Sequence, residues 1–418
     1  MNTLKNRFYS ALRWTERYTK TDMVYLAQNG SWLVLEQAGL VILSLATAIA
    51  FGHFASQDTY GNYKYVLSLA GVFTAFSLSG VGTAITRATA KGFEGSFNEG
   101  IRQSLRWSIG LVALSLAVGG YYLWFSHNVF LGVALIIVAV CLPFINSYSL
   151  FTAFLTGKKQ FARSSIYNIL NALIPTIAVV ITLFLTKRAI ILVAVYFIAN
   201  ALADIIFSAI AMRQVRNAAT DPEMKSFGKH LSIMSLIATI ADRIDSIIVF
   251  SLLGPASLAV YAYAIAIPEQ IKGMVKNVMA VALPRFATRT VQEIRVTIFS
   301  RILVFTLGLA VVIAIYVLLA PWLFKWLFPI YLAAIPYSQL YAVSIILTGV
   351  TGLAASVLQA HQRTRELYLT NNIGAVVLLI TVFPLTYFYG LWGAIAAQLV
   401  FRLTNAAVST WAIIRLKG

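Results

Sequence analysis

Twelve apolar stretches of about 20 residues run through this chain, and nearly every Lys and Arg falls in alternate gaps between them. About 20 apolar residues cross the hydrocarbon core of a bilayer as a helix. Inside that core only helices and closed barrels satisfy their own backbone polar groups. The spacing therefore predicts a helical, multi-pass membrane protein. The predicted spans are 30–52, 60–85, 104–125, 129–156, 164–186 and 189–212, then 230–253, 258–283, 298–320, 335–359, 367–389 and 391–414.

An even number of spans puts both termini on one side. That side collects 24 of the 32 basic residues and the opposite side only Lys187, Arg188 and Lys325. Cytoplasmic loops gather Lys and Arg, so both termini are expected in the cytoplasm. The net charge of +18 is spread over seven cytoplasmic segments rather than gathered on one face. That distribution fits contact with anionic lipid and argues against nucleic-acid binding. The single cysteine, Cys141, lies in an apolar run and leaves no internal disulfide to form. The first 29 residues are polar and basic, so no cleavable signal peptide is expected. Leu4, Phe8, Leu12 and Trp14 fall roughly on one helical face, which suggests an amphipathic helix on the cytoplasmic leaflet.

Loop lengths divide the chain further. No outer connection is long enough to hold a domain, so the chemistry is expected among the helices. The expected organisation is a cytoplasmic head (1–29), six spans (30–212), a linker (213–229) and six more spans (230–418). In the linker, Thr220-Asp221-Pro222-Glu223 reads as an N-cap, a proline at the first helical position and early acids. The halves carry a faint repeat. Spans one and seven each lead through a small-residue turn into Tyr-x-Tyr, about 200 residues apart. Two six-span bundles with a site at their interface is a common transporter plan.

The run Ser56-Gln57-Asp58-Thr59-Tyr60-Gly61, followed by Ser79-Gly80-Val81-Gly82-Thr83-Ala84-Ile85-Thr86-Arg87, resembles the first hairpin of polysaccharide flippases. These form the O-antigen (Wzx-type) branch of the multidrug/oligosaccharidyl-lipid/polysaccharide (MOP) exporter superfamily. Gly157-Lys158-Lys159-Gln160-Phe161, Asp245 to Tyr261, Pro284-Arg285-Phe286-Ala287 and Phe328 to Ala334 are similar to that branch as well. Ala259-Val260 departs from it, where members usually carry glycine. The resemblance implies an all-α, MATE-like V of two six-helix lobes. It also implies a bacterial inner-membrane protein that flips undecaprenyl-pyrophosphate-linked oligosaccharides outward, alone or beside other polysaccharide-export proteins.

Ten charged residues lie inside the spans: Glu36, Lys64, Asp204, Asp242, Arg243, Asp245, Glu269, Lys272, Lys276 and Arg402. Each would cost about 2.5–3.5 kcal/mol at mid-depth if it faced lipid. They are therefore expected to point inward. Glu269, Lys272 and Lys276 share a face at i, i+3 and i+7; Asp242 and Asp245 can share one, and Arg243 points about 100° from Asp242. Arg243, Lys272, Lys276 and Arg402 are the candidate binders of a pyrophosphate headgroup, which needs charge-assisted donors. Lys64, one turn from its outer span end, is a candidate binder or a snorkelling anchor. Structural neutralisation of Asp242, Asp245 and Glu269 is the competing role for these bases. Glu36 and Asp204, with the other acids, are candidates for H+ or Na+ coupling or for helix packing. Asn168, Asn171, Asn371 and Asn372 read the same way, while Pro143, Pro175, Pro268 and Pro384 are candidate kinks.

Enzyme signatures are missing. Gly157-Lys158-Lys159 lacks the rest of a phosphate-binding loop, and His53, His127, His230 and His361 are scattered. No catalytic residue, metal or cofactor is expected. Two alternatives to the flippase stand: a drug or cation antiporter of the same superfamily, and a membrane-bound polysaccharide polymerase or ligase. The first would want an acidic cavity and the second a large outer loop.

Overall fold

A computed structural model describes the backbone of residues 23–287, 291–360 and 364–415, with side chains over 30–275, 298–359, 366–370 and 372–415. The expected head helix around Leu4, Phe8, Leu12 and Trp14 lies outside the described residues, as does the side chain of Lys276. The described chain is helical throughout, without strands. Its helices are α1 (Met23–Phe54), α2 (Gln57–Thr74), α3 (Val81–Ala90), α4 (Ser96–Trp124), α5 (Val129–Tyr148) and α6 (Phe151–Gly157). They continue as α7 (Phe161–Leu185), α8 (Ala189–Met212), α9 (Met224–Ala287), α10 (Val291–Leu327), α11 (Ile335–Ala360) and α12 (Thr364–Ile414). A 3-10 turn (Pro329–Ala334) precedes α11.

Among the described residues, nine helices are long and apolar enough to cross a membrane. Two of them are too long to cross once. At 1.5 Å per residue the 64 residues of α9 would reach roughly three bilayer thicknesses if straight. The chain breaks instead at Gly254 (φ 84°, ψ 178°), and α12 breaks at Gly390 (φ 58°, ψ −136°). Both torsion pairs lie where side chains with a Cβ are disfavoured. They coincide with the connections expected at 254–257 and 390. The second expected span, 60–85, is not one helix. It divides into α2 and α3 around a non-helical stretch, where the Gly80 amide donates to Ser232 Oγ at 2.9 Å.

Large apolar side chains face outward. Leu318, Trp322 and Trp326 on α10 are 74%, 76% and 86% exposed, a surface suited to lipid and its interface. Inside, α1 packs on α7, α7 on α8, α8 on α5 and α5 on α4. In the second half α9 packs on α11 and α12, and α11 on α10 and α12. The most extensive packing between the two halves joins α2 to α9. At one end of that seam, tyrosines and phenylalanines from both halves meet. Tyr263 lies 4.7 Å from Tyr60 and 3.8 Å from Tyr331 between ring centroids, and its hydroxyl donates to the Ala48 carbonyl at 2.7 Å. Tyr263 of the faint sequence repeat thus packs against Tyr60 of the other half at one end of this seam. Aromatic pairs of this kind contribute about 0.5–1.5 kcal/mol each beyond their burial.

The opposite end is laced by ions. Asp221 Oδ1 accepts the Glu223 amide at 3.0 Å, so Asp221 caps the start of α9; the sequence signals predict a short helix leading into span seven, and the helix instead runs on unbroken into it. The preceding segment is docked rather than free. Glu94 accepts the Arg216 amide at 2.6 Å and pairs with Lys158 at 2.8 Å, while Lys158 also donates to the Gln214 carbonyl. Burial pushes the Glu94 carboxyl up, but Lys158 and the Arg216 amide outweigh it and hold it below the usual carboxylate value. A carboxyl lowered in the folded state adds stability above its unfolded pKa, and that stability is lost as pH falls through the folded value. Lys158→Ala should therefore lower stability by about 1 kcal/mol at neutral pH, and the deficit should shrink below about pH 4. Thermal unfolding of the two proteins across that range measures it.

Candidate functional site

A cavity of about 790 Å³ opens among α9, α11 and α12, lined by residues between Leu231 and Ser409. Its wall carries Asp242, Lys272 and Arg402, together with Thr348, Tyr368 and Asn405. Among the described residues, the cavity's lining belongs to the second half of the chain, and its charged members are two cations and one acid.

Lys272 and Arg402 converge on one acid. Lys272 Nζ, one turn from Glu269 on α9, donates to both of its carboxylate oxygens at 2.8 and 3.0 Å. From α12, Arg402 Nη2 donates to Glu269 Oε1 at 3.1 Å, and from α11 the Tyr341 hydroxyl donates to the same oxygen at 2.5 Å. The Arg402 guanidinium lies 4.6 Å from the Tyr341 ring centroid, a cation–π contact that fixes its plane. Only 3% of Arg402 is exposed, yet its Nε and Nη1 find no hydrogen-bond partner among the described residues. Those two nitrogens carry most of the group's N–H donors, and an unmet buried donor is costly.

The remaining candidates are dispersed. Arg243 is exposed and does not line the cavity with Lys272 and Arg402. It lies on the α2–α9 seam, its Cγ and Nε each 3.0 Å from where a Cβ on Gly71 would stand. Lys64 sits on the same seam with its Nζ 5.4 Å from the Tyr60 ring centroid. Neither forms an ion pair among the described residues. Asp242 and Asp245 do not share a role. Asp242 lines the cavity and is exposed, whereas Asp245 is buried and accepts from Tyr261 (2.6 Å), Gln398 (2.8 Å) and the Ser246 amide (2.6 Å). These donors, with the Ser246 hydroxyl as a fourth at 3.3 Å, make a structural knot that ties both arms of α9 to α12. Asp245→Ala would orphan Tyr261 and Gln398 and should cost about 2–4 kcal/mol, and Asp245→Asn clearly less. Unfolding of the purified variants compares them.

In the first half, Asn168 and Asn171 of α7 each hold one carboxylate. Asn168 donates to Glu36 on α1 at 2.5 Å, and Asn171 to buried Asp204 on α8 at 3.1 Å. The two acids are thus separately satisfied across three helices. No cluster of three or more His, Cys, Asp or Glu that could hold a metal occurs among the described residues.

Sequence reasoning passed over Tyr341 and Gln398. Gln398 had a signal, a polar amide in the middle of an apolar span. Tyr341 had none, because a hydroxyl on an aromatic side chain is ordinary near a membrane helix end.

The fold is similar to that of several solved transporters. A multidrug-resistance MATE-family transporter of the MOP superfamily, in an outward-facing conformation, matches with a TM-score of 0.59 at 15% identity, over 93% of this chain and 96% of that one. A MATE protein in a straight conformation matches at 0.61 and 13% identity, over 93% and 94%. A MOP-superfamily transporter from Pyrococcus furiosus, described as having a binding pocket of reverse polarity that suggests a different function, matches at 0.57 and 13%, over 93% and 94%. No curated protein sequence matches significantly. The molecule is a multi-pass membrane protein with the MATE/MOP transporter fold. Residues 26–290, more than half of the chain, match the family described as "Polysaccharide biosynthesis protein", and the chain belongs to that family.

Proposed function

We propose that this protein is a flippase that moves undecaprenyl-pyrophosphate-linked oligosaccharides from the cytoplasmic to the outer leaflet of a bacterial inner membrane. The observation that carries the reading is Arg402, a buried cation with unmet donors on the wall of a cavity whose charge is mainly positive. A pyrophosphate supplies the missing acceptors and the opposite charge. Family membership and the transporter fold support a polysaccharide-pathway carrier. On this reading, 30–212 and 230–418 are two six-span lobes that alternate access, both termini are cytoplasmic, and 213–229 joins them. On this reading twelve crossings result from dividing α9 and α12 at their glycines and counting α2 with α3, and α5 with α6, as one span each. Arg243 and Lys64, which form no ion pair among the described residues, would meet the same headgroup as it moves.

A drug or cation antiporter is the second reading, favoured by exposed Asp242 in the cavity. Two cations on the same wall weigh against it.

The test is exchange of a short-chain fluorescent prenyl-pyrophosphate oligosaccharide in proteoliposomes, scored with a membrane-impermeant quencher. Protein-dependent exchange is expected, with Arg243→Ala and Lys272→Ala each abolishing it at normal expression. No exchange, with uptake of an organic cation under a proton or Na+ gradient, would move the protein to the antiporter reading.

A further inference from the structure

The pairing around Glu269 is asymmetric. Arg402 is buried, its side chain only 4% exposed and its guanidinium lying against Tyr341. Glu269 is a third exposed, and its carboxylate is the group that both cavity cations share. A fixed cation with two buried, unmet donor nitrogens therefore faces a more accessible anion that already occupies its third nitrogen.

Charge counting then sets a constraint. At the pair itself, Lys272 and Arg402 carry two positive charges and Glu269 returns one negative, while Asp242 adds a separate negative charge elsewhere on the cavity wall. A pyrophosphate diester brings two negative charges, which match the two cations once Glu269 has left them and exceed them while it stays. A bidentate anion on the end or the side of a guanidinium also uses Nη2, the nitrogen that Glu269 Oε1 engages.

On the reading that this cavity takes the headgroup, we infer that Glu269 is a built-in counter-anion that occupies the cation pair when the cavity is empty and must vacate it for substrate to bind. The same carboxylate, on returning to Arg402 and Lys272, displaces the bound anion and assists its release. Glu269 is thus a specificity-determining competitor. A singly charged anion gains too little from the pair to displace it, whereas a pyrophosphate replaces its contacts and adds Nε and Nη1. Tyr341, donating to Glu269 Oε1, keeps the carboxylate within reach.

The experiment is calorimetric titration of the full-length protein in lipid nanodiscs with farnesyl pyrophosphate, with empty nanodiscs subtracted. Wild type, Glu269→Gln, Glu269→Asp and Arg402→Gln are compared. Glu269→Gln should bind the probe about tenfold or more tightly than wild type, because a charge-assisted competitor is gone. Glu269→Asp keeps the charge but draws it back by one methylene, so it should shift affinity the same way by less. It also retains a counter-charge for folding if the amide variant is lost. Exchange of the fluorescent substrate in proteoliposomes should slow in Glu269→Gln in spite of tighter binding, a split that a merely structural carboxylate would not produce. If wild type binds, Arg402→Gln does not, and both Glu269 variants bind no tighter than wild type, the counter-anion inference is overturned and the headgroup site stands. If Arg402→Gln binds like wild type, or no variant binds, the headgroup site itself fails and takes this inference with it.

Discussion

Arg402→Gln is expected to reduce substrate exchange at least about a hundredfold while leaving the yield of folded protein nearly unchanged. The size of the loss follows from what the guanidinium offers. Each charge-assisted hydrogen bond from a buried donor contributes about 1.5–3 kcal/mol, and Nε and Nη1 together would supply at least two to a bound anion. A factor of ten corresponds to about 1.4 kcal/mol, so the loss of two such bonds exceeds a hundredfold. The fold survives because Glu269 keeps Lys272 and Tyr341 as donors, and the shorter amide of glutamine leaves no buried charge unpaired. The reverse change is harsher on folding, since removing one partner of a buried pair leaves the other uncompensated at a cost of about 3–5 kcal/mol. Proteoliposome exchange and size-exclusion yield, measured on the same preparation, test both halves of the expectation. Full exchange by Arg402→Gln would remove Arg402 from the site.

Gly61→Val is expected to have the largest effect on folding of any single change along the α2–α9 seam. A Cβ at Gly61 would stand 1.9 Å from the carbonyl oxygen of Pro255; the backbone fixes the Cβ and the carbonyl is itself backbone, so neither can rotate aside. The helices would have to part at the end where Tyr60, Tyr263, Tyr331 and Phe51 pack together. Overpacking a tight contact costs about 1–3 kcal/mol and more when backbone must move. Lost contacts in the aromatic cluster add to that. A fall in unfolding temperature and in folded yield should appear with Val and, less severely, with Ala. Wild-type stability in Gly61→Val would mean that α2 and α9 do not approach this closely in the membrane.

The span pattern, the outward-facing apolar surface and the breaks at 254 and 390 were legible in the chain. Each rests on local chemistry: hydrophobic length sets a span, and a small-residue turn ends it. The family resemblance was legible too, on motifs around Tyr60, Gly80 and Phe328 that the fold turns into packing contacts. The division of the second span between α2 and α3 was not legible. The residues from Ala75 to Gly80 are apolar enough to continue a helix, and the Gly80–Ser232 bond that accompanies the break comes from a helix some 150 residues away.

The candidate site shows the same boundary. Sequence spacing put Glu269 and Lys272 on one face, because i and i+3 positions on a helix must be neighbours. It also singled out the buried charges Asp204, Asp245 and Arg402, because an ionised side chain in a membrane helix needs a partner wherever it lies. Which partner each one takes was decided only by the tertiary structure. Asp242 and Asp245, one turn apart, go to a cavity and to a buried knot. Arg243 turns to the seam with Lys64, and Arg402 reaches Glu269 across more than 130 residues of chain. Helical periodicity fixes the direction of a side chain relative to its own axis alone. The rotation and depth of one helix against another come from packing, and they determine which charges meet.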